Sequence, residues 1–532
     1  MTGSTRVQLA YGEAGLAVDL PAARTTVVEP VYVAGAADQR GVLRTALREP
    51  VAGPPLRELA RRGQTVAISM CDGTRAQPRH LMIPAVLEEL DGIVDLDDVT
   101  ILVATGTHRG NTEAELRAML GDEVVDTVRV VNHDARDASS LVHLGTHGNG
   151  VPVWLDRHWV EADLRITTGF VEPHFFAGFS GGPKLVAPGL AGLDTVLTLH
   201  DARRIGHPQA TWAVCEGNPV HDDIRAVVGA VGRVDFALDV VLNREQQIVE
   251  AFGGELFAMH ATAREAARRL AMRPVDGRFD VVVTTNAGFP LDQNLYQSVK
   301  GMSAGATVVR EGGTIVCAAE CRDGFPDHGS YREVLESAAS PRALLDAIEA
   351  RPHTVPDQWQ VQVQAKVQSL ARVVMHTSYL SDGALASAHL EQTADIAATV
   401  EQALGAAGPT PGSACCPRGR RRSPTRSERR AAISAVGVAV RALVGPLLIG
   451  LVGRLRALLG DLQRTRGRLP VRVGPEPVGR AAALRRLHGA VLEAVEPLLV
   501  RHTSQPVISG RLPHGPHVRA CAPWWNPLLP HP

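Results

Sequence analysis

Residues 65–75 read Thr-Val-Ala-Ile-Ser-Met-Cys-Asp-Gly-Thr-Arg. An apolar run ends abruptly in the polar loop Asp72-Gly73-Thr74-Arg75. Short apolar runs bounded by turn residues are the mark of a strand buried on both faces. Residues 78–90 then read as a helix, and the pattern repeats at once. Val99–Ala104 is a second apolar run, ending in Thr105-Gly106-Thr107-His108-Arg109-Gly110. Residues 112–120 are helical, with Asn111 or Thr112 as cap and Glu115 in the first turn. Residues 127–131 and 164–168 add two more strands. Strand–loop–helix repetition around apolar strands predicts an α/β domain with a largely parallel sheet. Ligands bind beyond the carboxyl ends of such strands, where Asp72, Thr74, Arg75 and His108 all fall.

Working outward, residues 1–60 read as early strands and turns, with a helix near 45–62. Residues 261–272 form a basic, alanine-rich helix. Phe279–Thr285 starts a new strand, and residues 291–302 read as a helix that places Gln297 and Lys300 on one face. A strand at 314–319, helix near 331–350 and short strand at 372–375 complete a second α/β domain. The expected organisation is a catalytic α/β domain over 1–268, an α/β domain over 269–408 closing a cofactor and substrate cleft, and a tail over 409–532.

The tail differs in chemistry. The 532 residues carry a net charge of -1, but residues 411–532 hold 20 Arg, no Lys and 5 acidic residues, leaving residues 1–410 strongly acidic. An acidic core argues against nucleic acid as a partner. The Arg/Pro-rich tail reads as disordered or weakly helical, and a shifted reading frame would give the same composition. Its apolar stretch at 431–453 contains Arg441 and Pro446 and falls short of a membrane span. Seven Cys in this length make no disulfide scaffold. The first 20 residues carry charges and no continuous apolar run, the start expected of a cytoplasmic protein.

Lysine is scarce: Lys184, Lys300 and Lys366 stand against 52 Arg. Where Arg supplies surface charge, a Lys is more often kept for its amine. Lys184 ends the segment Glu172-Pro-His-Phe-Phe-Ala-Gly-Phe-Ser-Gly-Gly-Pro-Lys184, whose glycines permit close backbone approach. The segment is either a flexible surface loop with an incidental Lys or, as the lysine scarcity and aromatic content favour, a loop around a cofactor with an amine for covalent or electrostatic work. The Asp72–Arg75 loop suits phosphate or carboxylate, or is a turn with a salt bridge. His108 at a strand end suits general acid–base work, or caps the following helix. His143 and His147 flank a turn and are poor ligand candidates. Cys317 and Cys321 lack the further ligands of a metal site and read as structural.

The central segment is joined by Gly106-Thr-His-Arg-Gly110, Pro188-Gly189-Leu190-Ala191, His200, Glu216-Gly-Asn-Pro-Val220, Leu291-Asp-Gln-Asn-Leu-Tyr-Gln297 with Lys300, and Pro356-Asp-Gln-Trp-Gln360. With these, residues 10–408 resemble the nickel-pincer lactate racemase family. The resemblance implies a nickel cofactor, pyridinium-3,5-bisthiocarboxylic acid mononucleotide, attached covalently through Lys184. It implies His200 as the protein ligand of nickel and His108 and His174 as the acid/base pair. Arg75 and Lys300 would be the cationic contacts, with Gln297 beside them; Asp72 and Thr74 would belong to the cofactor-binding loop, and Trp359 would pack near the cofactor. Partners would be a small 2-hydroxy acid and the cofactor-maturation enzymes.

The chemistry suits that assignment. Deprotonating Cα of a 2-hydroxy acid would place negative charge beside a carboxylate, whereas removing hydride leaves a stable 2-keto acid. Soft sulfur ligands and an imidazole suit nickel. The rival readings are a 2-hydroxy-acid dehydrogenase using free nicotinamide, against which no GxGxxG is found, and a non-catalytic nickel- or nucleotide-binding protein.

Overall fold

A computed structural model describes residues 3–326 and 329–407, together with the strand Val518–Cys521. The expectations for the rest of the tail lie outside the described residues.

Every residue of Val66–Cys71 is buried. Val66, Ile68 and Met70 pack with the helices Gln39–Arg48 and Arg79–Leu90, whereas Ala67 faces the opposite layer. An apolar run without alternation is thus a central strand covered on both faces. It lies in a six-stranded sheet ordered Ile248–Gly254, Phe236–Leu242, Leu164–Phe170, Val66–Cys71, Val99–Ala104, Arg129–Asn132. The first of these is antiparallel to its neighbour, and the other pairs are parallel. The chain steps from Val66–Cys71 outward in one direction, then returns to build the sheet on the other side. That reversal opens a crevice at the carboxyl ends of Val66–Cys71 and Leu164–Phe170, where such sheets bind ligands.

A second sheet runs Glu391–Gln392, Arg372–His376, Val309–Ala318, Phe279–Thr285, Val518–Cys521, Thr25–Val28, all parallel. One of its faces packs Val282, Ile315 and Cys317 with Leu295, Val299 and Met302. Its other face carries Val281, Val283, Val316 and Ala318, which meet Leu9 and Leu20 of the N-terminal hairpin and Ile396 and Val400 of the last helix of the second lobe. Thr25–Val28 therefore adds an edge strand to the second sheet and the hairpin Ser4–Pro21 covers one of its faces, although sequence order placed both with the first domain. Of the tail expected to be disordered or weakly helical from 409, the described segment Val518–Cys521 is instead a strand of that sheet.

Several boundaries move for local reasons. The helix expected near 45–62 is two, Gln39–Arg48 and Leu56–Leu59, separated by Pro50, Pro54 and Pro55. The helix expected at 331–350 breaks into Tyr331–Glu336 and Pro341–Glu349, the latter capped by Ser340. The helix expected at 291–302 starts at Leu295, where Asn294 caps it. His143 and His147 sit on the strand Leu141–His147, which bulges between His143 and Thr146, and not on a turn. Thr112 and Glu115 form a reciprocal capping box. Among the described residues, no helix is long and apolar enough to cross a membrane.

Candidate active site

Three loops leave adjacent strand ends. The Asp72–Arg75 loop follows Val66–Cys71 at the centre, His108 follows Val99–Ala104 on one side, and the segment through His174 to Lys184 follows Leu164–Phe170 on the other. The two expected acid/base histidines therefore flank the central loop.

That loop is held from beneath by Arg79, which is buried and donates to the carbonyls of Cys71 (2.8 Å), Asp72, Arg75 (2.7 Å) and Gln77 (2.9 Å). The Asp72 carboxylate accepts from the Thr74 hydroxyl at 2.7 Å and lies 2.6 Å from His108 Nδ1. Burial pushes the Asp72 carboxyl up, but the His108 hydrogen bond, the Arg75 guanidinium and the Thr74 hydroxyl hold it well below the usual carboxylate range. An ionised carboxylate can only accept, so a His108 proton sits on Nδ1 and Nε2 is the nitrogen left to exchange a proton with a substrate.

His174 has the opposite arrangement. Its Nδ1 accepts from the backbone N–H groups of Ala177 (3.2 Å) and Phe176 (3.4 Å). Burial, with the charges of Lys184, Lys300 and Arg75, keeps its pKa well below the ordinary value. The ring is neutral, with its proton on Nε2.

Phe176 is the hub of the wall. Its ring lies 4.5 Å from the His174 ring, 5.3 Å from the His200 ring and 6.0 Å from Lys184 Nζ. Burial pushes the Lys184 amine down to about 7, aided by Arg75 and Lys300 and opposed by Glu172. His200, at the end of the helix Leu193–Leu199, donates from Nδ1 to the Val196 carbonyl at 2.7 Å. Burial lowers its pKa to about 4. A neutral imidazole with Nδ1 so engaged presents Nε2 as a metal donor.

The second lobe supplies the rest. Lys300 donates to Gln297 Oε1 at 2.8 Å, across one turn of the helix Leu295–Ala306. Burial and Arg75 push its amine down to about 8, against Glu172 and Asp72. Trp359, on the helix Gln358–Leu370, sets its ring 4.8 Å from that of His200. Gln362 of that helix donates to the Ala202 carbonyl at 2.8 Å, and Trp212 donates to Ser303 at 3.1 Å, so the lobes are joined around the site.

All the expected residues thus line one region, linked by contact or by mutual charge. Sequence reasoning missed the supports. Arg79 gave no signal beyond an arginine in the first turn of a helix. Arg204, buried between Asp201 and Asp223, fixes the turn after His200 and was equally silent. Asp239 was visible as a lone acid in the apolar strand Phe236–Leu242.

Comparison with known proteins now adds to the geometry. A profile described as lactate racemase N-terminal domain matches residues 11–213, and one described as lactate racemase C-terminal domain matches 276–419. The chain belongs to the lactate racemase family. It is 36% identical over 382 residues to the lactate racemase of Thermoanaerobacterium thermosaccharolyticum, covering 70% of this chain and 88% of that one. With the lactate racemase of Lactiplantibacillus plantarum it shares 32% over 405 residues, 73% of this chain and 94% of that one. The structure of the T. thermosaccharolyticum lactate racemase apoprotein superposes with a TM-score of 0.70 at 32% identity, covering 75% of this chain and 95% of that one. This family member is an isomerase, a racemase dependent on a nickel-pincer nucleotide, as its motifs implied.

The residues fit that group. Lys184 offers an amine whose pKa is brought down to about 7, so that a large share is neutral near that pH, and His200 turns Nδ1 to a backbone carbonyl and leaves Nε2 for a metal. Among the described residues, no three His, Cys, Asp or Glu cluster to hold a metal ion.

Proposed function

We propose that the chain interconverts the enantiomers of a small 2-hydroxy acid, with lactate, the substrate named for both curated relatives, as the first candidate. Lys184 is the covalent attachment point of the nucleotide and His200 the protein ligand of its nickel. When bound, the nucleotide supplies an acceptor and donor of hydride at substrate Cα. Everything else falls to the chain's own side chains.

Arg75 and Lys300 hold the substrate carboxylate, and Gln297 orients the Lys300 amine. His108 Nε2, with its proton fixed on Nδ1 by Asp72, accepts the hydroxyl proton. The ketone turns its other face while its carboxylate stays anchored. With the Lys184 charge removed by attachment and the substrate carboxylate bound, His174 enters this step as the imidazolium, donates from Nε2 the proton that restores the hydroxyl, and returns to the neutral ring. The protein finishes with His108 protonated and His174 neutral, the two charge states exchanged, ready for the opposite enantiomer. Phe175, Phe176 and Trp359 exclude water around the keto acid.

The observation that carries this reading is the Phe176 ring, which gathers His174, Lys184 and His200 around one side chain. The test is co-expression with the cofactor-maturation enzymes, then intact mass and a screen of chiral 2-hydroxy acids. A covalent adduct on Lys184 with racemisation of lactate is expected. An adduct without racemisation of any 2-hydroxy acid would support a binding protein instead.

A further inference from the structure

The segment Ser180–Gly182 runs between two buried titratable side chains that the mechanism does not use. On one side, Asp239 lies at the middle of the strand Phe236–Leu242 and is fully buried. Its Oδ2 accepts the Gly182 N–H at 2.7 Å, and its Oδ1 has no partner. On the other side, His260, on the helix Leu256–Ala271 and 1% exposed, donates from Nε2 to the Ser180 carbonyl at 2.9 Å. Its Nδ1 also has no partner.

The glycines make the grip possible. A Cβ on Gly181 would stand 2.7 Å from Asp239 Oδ2, one on Gly169 2.8 Å from Asp239 Oδ1, and one on Gly182 2.5 Å from His260 Cγ. Gly181 and Gly182 also adopt φ of +73° and +52°, which only glycine takes readily. Just downstream, the Ser69 hydroxyl donates to the Leu185 carbonyl at 2.7 Å, and Gly189 N–H to the Lys184 carbonyl at 3.0 Å. A buried carboxyl with an unpaired oxygen is costly, and nothing in the sheet itself needs it.

We propose that Asp239 and His260 are positioning residues, a two-sided clasp that orients the backbone of the Lys184 loop so that its amine meets the nucleotide. The proposal rests on the reading of Lys184 as the attachment point. Burial raises the Asp239 carboxyl to about 7, and in either protonation state it keeps an acceptor oxygen for the Gly182 N–H; burial, with Arg264 and His221, lowers the His260 pKa to about 3, so His260 stays a neutral donor.

Hydrogen exchange on the apoprotein tests the clasp without any cofactor. In Asp239→Leu the Gly182 amide should exchange about tenfold faster or more than in the wild type. Exchange in the strand Val99–Ala104 should be unchanged, and Asp239→Asn, which keeps an acceptor oxygen, should restore protection. After maturation, the Lys184 adduct measured by intact mass should fall about tenfold in Asp239→Leu and recover in Asp239→Asn. Unchanged Gly182 exchange, or faster exchange throughout the sheet, would overturn the proposal. Should Asp239→Leu fail to fold, the wild type decides alone: a Gly182 amide exchanging as fast as free peptide would also overturn it. Wild-type protein that protects Gly182 but gains no mass on Lys184 would sink the attachment reading and leave the clasp standing.

Discussion

A racemase of this kind needs one histidine to take a proton while the other gives one, and the ring nitrogen each has left for that work is set by a neighbour. His108 owes its Nε2 lone pair to Asp72, and His174 its Nε2 proton to two backbone amides. His108→Asn and His174→Asn should each lower kcat about 10²- to 10⁴-fold with nickel content unchanged, read by elemental analysis; near-normal rates would remove the pair from the proton path. His200→Ala should instead lose nickel. The lysines carry pH dependences of stated sign. The Lys184 amine is neutral above about pH 7, so its acylation by a small amine-reactive reagent in the apoprotein should be half-maximal near pH 7. An ordinary lysine would need a pH above 10. Lys300 is a cation below about pH 8, so KM for a 2-hydroxy acid should rise as pH passes above 8. A KM flat to pH 10 would mean that Arg75 alone anchors the carboxylate.

At the scale of elements, the strands Val99–Ala104 and Phe279–Thr285 were legible to the residue, because apolar runs on both-face-buried strands end where polar loops begin. Helix starts were less so, because they depend on caps such as Asn294 and Glu255, whose partners are backbone groups with no identity in the sequence. Lys184, the Asp72–Arg75 loop and His108 stood out as candidates by residue type and setting, whereas His200 and Trp359 were singled out only through the family resemblance. Their supports were not, because a buried arginine such as Arg204 looks like any surface arginine until its carboxylates are placed in space. Arg204 bridges Asp201 and Asp223 and donates to the carbonyls of Thr198 (3.0 Å) and Asn149 (2.8 Å). Arg204→Met should cost about 3–5 kcal/mol in chemical denaturation, because it leaves buried carboxylate unpaired. A loss under about 1 kcal/mol would show that the turn after His200 is held by other contacts.

Over the whole molecule, the site exists because the first sheet reverses direction beside Asp72 and the second lobe brings Lys300, Gln297 and Trp359 to that opening. Sequence order hid one part of this: the strand Thr25–Val28 lies in the second sheet, far along the chain from its partners. In the proposed reaction the hydrogen on Cα leaves as hydride and returns to the same carbon without meeting water. Racemisation of unlabelled lactate by the matured protein in D2O, followed by mass spectrometry of the product, tests this directly. The predicted result is inverted lactate with no deuterium at Cα. Deuterium at Cα in step with inversion would mean that the hydrogen departs as a proton, and would rule out hydride transfer.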